Sequence, residues 1–528
     1  MRVPLRWLRE YVDLPSDLKP RELQARLIAA GLEVETVTAY DVVGPLVVGR
    51  VLSFEDEPQK NGKAIRWCRV DVGPEHGDSA GARGIVCGAS NFAVDDLVVV
   101  ALPGAVLPGG FAITARKTYG HVSDGMICSL RELGLGEDHT GILVLTARDA
   151  DAAVPGDDAG PVLGLPDAVL EISVKPDRSY CLSMRGVARE ASIAYATALR
   201  DPADHDVVPP GPGDEPHPVE IADPTGADRI VLRRLVGFDP QAESPLWLRA
   251  RLHLAGMRPV SLAVDVTNYV MHELGQPLHA FDGTLLRGPI VVRRARAGEQ
   301  LETLDHVRRT LDPEDLLITD DRGPIALAGT MGGLETEISD TSTVIVLEAA
   351  HFLPVPIARE SRRHKLSSEA ARRFERGVDP TLGPVASSRA ASLLAEYGGA
   401  RLVGTAEVDL RGPVAPIEMH ADYPSRVAGV EYNAADVVLR LEQVGCSVTT
   451  EPGLLSVQPP PWRPDLRDPA DLAEEVLRLQ GYDSIPSLLP HVLPGRGFSA
   501  RQRHFLTTTR ALAEQGFVEV KAYPFLGA

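Results

Sequence analysis

Cysteine is scarce in this chain of 528 residues: Cys68, Cys87, Cys128, Cys181 and Cys446 are odd in number, widely scattered and never spaced as CxxC. That usage excludes a disulfide framework and a zinc knuckle, predicts free thiols and fits a reducing, cytoplasmic setting. Long apolar runs are lacking too: none reaches the roughly 18 residues of a membrane span. The N-terminus MRVPLRWLREYVDLP breaks its apolar positions with Arg2, Arg6, Arg9 and Glu10, unlike a secretory signal. Basic residues are in deficit, 54 Lys and Arg against 73 Asp and Glu, for a formal charge of −19. Non-specific coating of nucleic acid needs an excess of phosphate-neutralising cations, so that class is excluded and any nucleic-acid partner must dock locally. The chain also lacks a GK[ST] phosphate loop, an HExxH helix, a Ser-His-Asp signature and a cysteine nucleophile.

What is present is the composition of an ordinary globular protein, 44% hydrophobic and 24% charged, with chain enough for several domains at roughly 100–200 residues each. From Val42 to Leu145, short β-rich runs such as VVGRVLSF, IRWCRVDVG, GIVCG and DDLVVVALPGAVLPGG are separated by Gly and Pro. That spacing predicts a small closed barrel over 41–150, with a five-stranded oligonucleotide-binding (OB) form as the candidate. Stretches from Asp149 to Asp167 and from Arg200 to Val219 are rich in Pro, Gly and Asp and read as linkers. Between them, LEISVKPDRSYCLSMRGVAREASIAYATAL reads as strand, turn and helix, too short to fold alone. It is expected to pack on the helix around Arg21 to Ala30, so 1–40 and 151–200 form one N-terminal α/β module with the barrel inserted. Residues 219–400, after a linker over 201–218, alternate β-runs and helical stretches as a mixed α+β domain. A compact α/β module follows over 401–486. The tail from 487 to 528 predicts an amphipathic helix, a stop at Gly516 and a first strand. A helix and a strand bury too little to be stable, so the tail is expected to be the opening of an incomplete domain.

Two groups of residues can carry chemistry. In WRPDLRDPADLAEEV, Asp468 suits a helix cap, Pro469 the first turn and Asp471 a capping box. Asp471, Glu474 and Glu475 then share a face, and Asp465 can reach back to them. Acids are favoured at a helix N-terminus with or without a metal, while four hard oxygen ligands without His or Cys suit Mg²⁺; both readings fit. The second group comprises Asn268, His279, the glycine loop AGTMGGLE and Glu348, whose apolar flanks place it at the end of a buried strand. An amide, an imidazole, a buried acid and free backbone N–H groups in one domain can orient water and stabilise an oxyanion. Between Arg359 and Arg376, RESRRHKLSSEAARRFER sets six Arg and one Lys against three Glu. It is either a helix with internal ion pairs or a local basic patch.

Taken together, these motifs resemble the β subunit of bacterial phenylalanyl-tRNA synthetase, from Met1 to the last residue. IVCGASN, ALPGAVLPGG and SDGMICSLRELGLGEDHTGILVL are similar to the family's tRNA-binding domain, and LEISVKPDRSYCLSMRGVARE to the resumed N-terminal module, with Asp177 where Asn is common. VDVTNYVMHELGQPLHAFD, AGTMGG, VLEAAHF and ARRFERGVDP resemble its editing domain. That resemblance implies hydrolysis of tyrosine wrongly attached to the phenylalanine tRNA. Asn268 and His279 would line the ester and its water, Glu348 would meet the tyrosine hydroxyl, and Ser368, Ala370, Gly332 and Gly333 would shape the pocket. Ser368 stands where Thr is a common alternative. The 401–486 module resembles the family's Mg²⁺ module, implying one ion at Asp465, Asp471, Glu474 and Glu475. The tail resembles the start of a synthetase-like antiparallel domain that packs on the α subunit. The implied fold class is therefore multidomain α+β, and the implied assembly an α₂β₂ heterotetramer. In it the α subunit binds ATP and phenylalanine while this chain binds tRNA and proofreads, with no membrane contact. A standalone trans-editing aminoacyl-tRNA hydrolase and a non-catalytic tRNA-binding scaffold are the two rival expectations.

Overall fold

The computed structural model describes residues 1–59, 64–150, 152–207, 215–489, 495 and 497–525. They fall into two units, Met1–Tyr482 and Asp483–Ala528. The first is mixed α+β throughout.

It opens with an antiparallel three-stranded sheet whose middle strand comes from far along the chain. β1 (Arg2–Pro4) and β2 (Glu33–Tyr40) both pair with β8 (Asp167–Ser173). Helices α1 (Pro20–Ala29) and α2 (Met184–Tyr195) bury Leu23, Leu27, Val187 and Ala191 against it. Pro20 starts α1 at the position where a missing N–H costs nothing, and the Ser183 side chain caps α2 by accepting from the Gly186 N–H.

Between β2 and β8 the chain builds a second sheet from β3 (Leu46–Pro58), β4 (Ala64–Asp71), β5 (Ala82–Cys87), β6 (Leu97–Ala101) and β7 (Met126–Ile127), in the order β7-β6-β3-β4-β5. The sheet curls until its far edges meet: the Asp124 N–H donates to Gly84 O at 2.9 Å and the Val86 N–H to Ser123 Oγ at 3.0 Å. The unbroken run Val98-Val99-Val100-Ala101 follows from burial on both faces. Val98 and Val100 point into one cluster with Val70 and Ile85. Val99 and Ala101 point into another with Leu46 and Val48. That second cluster also takes in Ala159, Leu163 and Leu165. The stretch expected to be a linker, Asp149 to Asp167, is thus partly core. Its Pro and Gly serve tight turns and a four-residue helix, Gly160–Leu163, rather than slack chain.

Two further sheets face each other across the middle of the chain. One is four-stranded and antiparallel, β10-β11-β9-β12, from β9 (Ala227–Val236), β10 (His279–Asp282), β11 (Val344–Phe352) and β12 (Arg401–Asp409). The other runs Val219–Ile221, Ile290–Arg294, Leu316–Asp320, Gly323–Leu327 and Met331–Gly332. Alternation decides what each face meets. Phe281, Val346, Ala350 and Phe352 turn inward to Ile318 and Ala326 of the second sheet. Ala280, Ile345 and Leu347 turn outward to helices α3 (Leu262–Leu274) and α6 (Gly383–Gly398), in the same cluster as Trp7, Leu8 and Leu27. Trp7 stacks on Tyr269 with ring centroids 4.9 Å apart, and Tyr11 and Tyr269 both donate to the buried Glu273. The N-terminal module and the middle domain therefore share one core. Two short helices, α4 (Pro354–His364) and α5 (Glu369–Phe374), cover one end of the gap between the sheets.

After β12 come an antiparallel sheet ordered Ile417–His420, Leu454–Gln458, Ser447–Glu451 and the helices α7 (Ala434–Gln443) and α8 (Pro469–Gln480). Asn433 caps α7, and Asp468 with Asp471 forms the capping box of α8 that its sequence predicts. In the second unit, α9 (Ala500–Glu514) carries a Ser499–Gln502 capping box and buries none of its residues. The strand expected after Gly516 does not form: residues 517–525 have no ladder partner and are exposed, and a segment without a partner leaves its hydrogen bonds to water. Among the described residues no helix is long and apolar enough to cross a membrane, and all five cysteines are buried free thiols.

Candidate functional site

β10 and β11 pair antiparallel with His279 opposite Glu348. Both side chains belong to the inward-facing set of their strands, with Phe281 and Val346 as the next inward residues, so the imidazole and the carboxyl are cross-strand neighbours. They open onto a cavity of about 210 Å³ lined also by Ile318, Thr330, Gly332, Phe352, Ala370 and Phe374. Most of its lining side chains are apolar, and Phe352 meets Phe374 edge-on with ring centroids 5.0 Å apart. A second cavity of about 370 Å³ shares Leu278, His279 and Leu304 with the first and is lined further by Ser261, Thr267 and Asn268. His279 thus stands where an apolar chamber and a more polar one meet.

Burial sets the protonation of both groups. It lowers the His279 pKa to about 4, so the ring is neutral at pH 7. Its Nε2 is enclosed and has no hydrogen-bond partner, a position from which it can accept from a water. Burial raises the Glu348 carboxyl to about 8, so at pH 7 it carries its proton and offers a hydroxyl as well as a carbonyl oxygen.

The other residues singled out divide between lining and support. Ala370 and Gly332 line the apolar cavity. A Cβ on Gly332 would lie 2.5 Å from His279 Cε1 and 2.9 Å from Nε2, so only glycine lets the imidazole sit where it does. Gly333 lies behind the wall, where a Cβ would meet Ile325 O at 2.5 Å. Ser368 caps α5 by accepting from the Ala371 N–H at 3.0 Å; it holds Ala370 in place from outside the chamber. The glycine loop supplies less than expected. The Ala328, Thr330 and Gly333 N–H groups donate to Leu316, Leu327 and Ile325 carbonyls, because the loop closes a hairpin, and are unavailable to an oxyanion.

Two supporting residues escape sequence reasoning. Gln276, buried beside the Pro277 turn, donates through Nε2 to Ala350 O at 2.9 Å and ties that turn to β11. Glu360, fully buried on α4, accepts from the Leu316 N–H at 2.8 Å behind the cavity. The first lies within the GQPLHAFD motif and could have been found there. The second is hidden inside a run of basic residues.

The carboxylate set does not fit the cation it suggests. Glu475 is sealed at the base of α8, where its Oε1 accepts from Arg463 at 2.9 Å and Arg178 at 3.2 Å, and its Oε2 from Arg478 at 2.6 Å. Burial opposes its ionisation, but the Arg463 and Arg478 guanidiniums hold its pKa well below the usual range. Asp465 accepts from Arg463 Nη2 at 2.6 Å, so one guanidinium nitrogen bridges Asp465 and Glu475 where a metal would bridge them. Glu474 accepts from Arg178 at 3.4 Å and from the Tyr482 hydroxyl at 2.8 Å, and Asp471 is spent on the Arg467 and Asp468 N–H groups. Among the described residues no group of three or more His, Cys, Asp or Glu is arranged to hold a metal ion. The expected Mg²⁺ site is replaced by an arginine–carboxylate network. Arg478 extends it to Glu190 and to Ala30 O, both at 2.9 Å, locking α8 to the N-terminal module.

Comparisons with known proteins agree with this arrangement of modules. Residues 46–154 match the family described as "Putative tRNA binding domain", residues 226–399 the "B3/4 domain" and residues 417–482 the "tRNA synthetase B5 domain". Over 100% of its length the chain is similar to the phenylalanine–tRNA ligase beta subunits of Thermobifida fusca, at 57% identity, and Streptomyces avermitilis, at 55%. It spans 63% of the length of each. A solved N-terminal fragment of the phenylalanyl-tRNA synthetase beta subunit from Pyrococcus horikoshii aligns over 60% of this chain and 87% of that one, at 14% identity and a TM-score of 0.31. That likeness is too slight to carry an argument.

Proposed function

From the premise that this chain belongs to the family of phenylalanine–tRNA ligase beta subunits, we propose that it binds tRNA and hydrolyses tyrosine esterified to the phenylalanine tRNA. Aminoacylation itself would be the work of an assembly with an α subunit, which would bind ATP and phenylalanine. The barrel of 46–154, read as an OB fold, would contact tRNA, and the two-sheet domain would proofread.

One observation carries the proofreading reading: a neutral imidazole and a protonated carboxyl, neighbours on paired strands, face a chamber of about 210 Å³ lined largely by apolar side chains. Cavities of about 150 Å³ accept benzene, so a phenol ring fits. The hydroxyl at its tip would exchange hydrogen bonds with the Glu348 carboxyl. Phenylalanine would leave that buried group unpaired, and a site built to bond a substrate hydroxyl can reject the analogue lacking it by about 10⁴-fold. The ester would lie at the neck beside His279, with the terminal nucleoside in the more polar chamber near Asn268. Water attacking the ester carbonyl would pass a proton to His279, the ribose oxygen would leave with a proton, and free tyrosine and intact tRNA would result.

The test is deacylation of tyrosyl-tRNA and phenylalanyl-tRNA prepared on the phenylalanine tRNA. The chain should release tyrosine selectively. His279→Ala should slow release by about 10²-fold or more, and Glu348→Ala should erase the preference for tyrosine. Unchanged rates and selectivity in both variants would refute the assignment. Tight tRNA binding without any release would favour a scaffold.

A further inference from the structure

The basic run from Arg359 to Arg376 divides in the fold into cations that are spent and cations that are presented. Arg363 and His364 both bond the buried Asp315, and Arg373 is sealed against Glu369 and Leu182 O. The remainder lie elsewhere. Arg362, Lys365, Arg372 and Arg376 line one open groove of about 500 Å³ between α4 and α5, in which Glu375 is the single acid. Arg362 and Lys365 are exposed at its rim. The ion pairs there are loose, 3.8 Å from Arg362 to Glu375 and 3.7 Å from Arg372 to Glu369. Four cations against Glu375 in the groove and Glu369 beside it are concentrated here on a chain whose formal charge is −19, so the groove is a local well for anions on a body that otherwise repels them.

Its position gives the well a meaning. Helix α5 and the turn after it have two faces: Ala370 and Phe374 close the chamber, while Arg372 on the helix and Glu375 and Arg376 just past its end line the groove. One helix, about 10 Å across with its side chains, is all that separates them. An RNA strand whose terminal ester lies beside His279 has its preceding phosphates within a few nucleotides' reach of the groove. Guanidinium and ammonium groups without base-reading partners recognise phosphodiesters by charge and not by sequence.

We propose that this groove binds the sugar–phosphate backbone of a single-stranded RNA 3′ end, through Arg362, Lys365, Arg372 and Arg376, and so feeds the terminal residue toward His279. The inference rests on the hydrolytic reading above for its direction, but its test does not need hydrolysis. Two fluorescent RNA hairpins, one with a single-stranded 3′ overhang and one blunt, are titrated with the full chain by anisotropy at several salt concentrations. The overhang should bind about tenfold more tightly than the blunt form. The Arg362→Gln/Lys365→Gln variant should lose that preference, and its slope of log affinity against log salt should fall by about 1.4, the loss expected from two single-strand phosphate contacts at about 0.7 each. Arg362→Lys, which keeps the charge, should retain the preference. Equal binding of the two hairpins by the wild type, or an unchanged preference and slope in the double variant at an unchanged unfolding midpoint, would overturn the proposal. Retained overhang preference in a chain that hydrolyses no ester would refute the hydrolytic reading alone and leave the groove standing.

Discussion

At Glu348, stability and recognition pull in opposite directions, because a carboxyl raised to about 8 from its ordinary 4.5 is a group that burial penalises when ionised. Between those two values the folded protein holds a proton that the unfolded chain has lost. The stability associated with Glu348 is therefore complete below about pH 4.5 and declines by about 1.4 kcal/mol per unit as the pH rises toward 8. Glu348→Gln should remove that slope. Urea unfolding should show the variant more stable at pH 7 by on the order of 3 kcal/mol, with the advantage vanishing near pH 4.5. A difference independent of pH would mean that Glu348 is ionised in the fold. His279 has the opposite sign: its pKa is lowered to about 4 from 6.5, so stability is complete above about 6.5 and lost as the pH falls toward 4. Hydrolysis that needs a neutral His279 and a protonated Glu348 should give kcat/KM flat between limbs near pH 4 and pH 8, with the alkaline limb absent in Glu348→Gln.

Single elements make that pair usable. The hairpin wall opposite β10 can approach the imidazole only because residue 332 has no side chain. Gly332→Ala would place a methyl 2.5 Å from the ring, so the strand or the ring must move. Since a displacement of about 1 Å in a site can cost about 10²-fold, tyrosyl-tRNA release should fall by that order while global unfolding shifts little. Helix α8 shows the other use of an element. Its acids were open to two readings from the sequence, and the fold meets them with Arg463 and Arg478 from the same module and Arg178 from the N-terminal one. Breaking a buried pair leaves an uncompensated charge, so Arg478→Ala should cost about 3–5 kcal/mol in chemical unfolding. A loss below 1 kcal/mol would show that the network holds nothing together.

On the scale of the whole molecule, the N-terminal module, the two-sheet domain and α8 are joined by a common core and by that buried network. Among the described residues the junction is held by guanidinium groups, with no group arranged to hold a metal ion. The thermal unfolding of the chain should therefore be the same in millimolar Mg²⁺ and in EDTA. A midpoint raised by Mg²⁺ in the wild type but not in Asp471→Ala would restore a metal to this module.

How much of this could be read in advance depends on how local the physics is. The capping box of α8, the caps of α2 and α7, the alternation that puts His279 and Glu348 on inward faces and the motifs that tie the chain to its family all lie within a few residues of one another, so the sequence by itself determined them. The tail strand after Gly516 was misjudged because a strand exists only with a partner, which no single segment contains. The Asp149 to Asp167 stretch was misjudged because turn residues look alike in a linker and in a core. The charge of Glu475 is met mainly by Arg463 and Arg478, 12 and 3 residues away, but Arg178, 297 residues away, joins them, and Arg478 is in turn met by Glu190, 288 away. Which cations of the Arg359 to Arg376 run stay free was likewise settled by Asp315, 49 residues before His364. A charge takes its meaning from its partners and its access to water, and both are fixed only once distant segments have packed together.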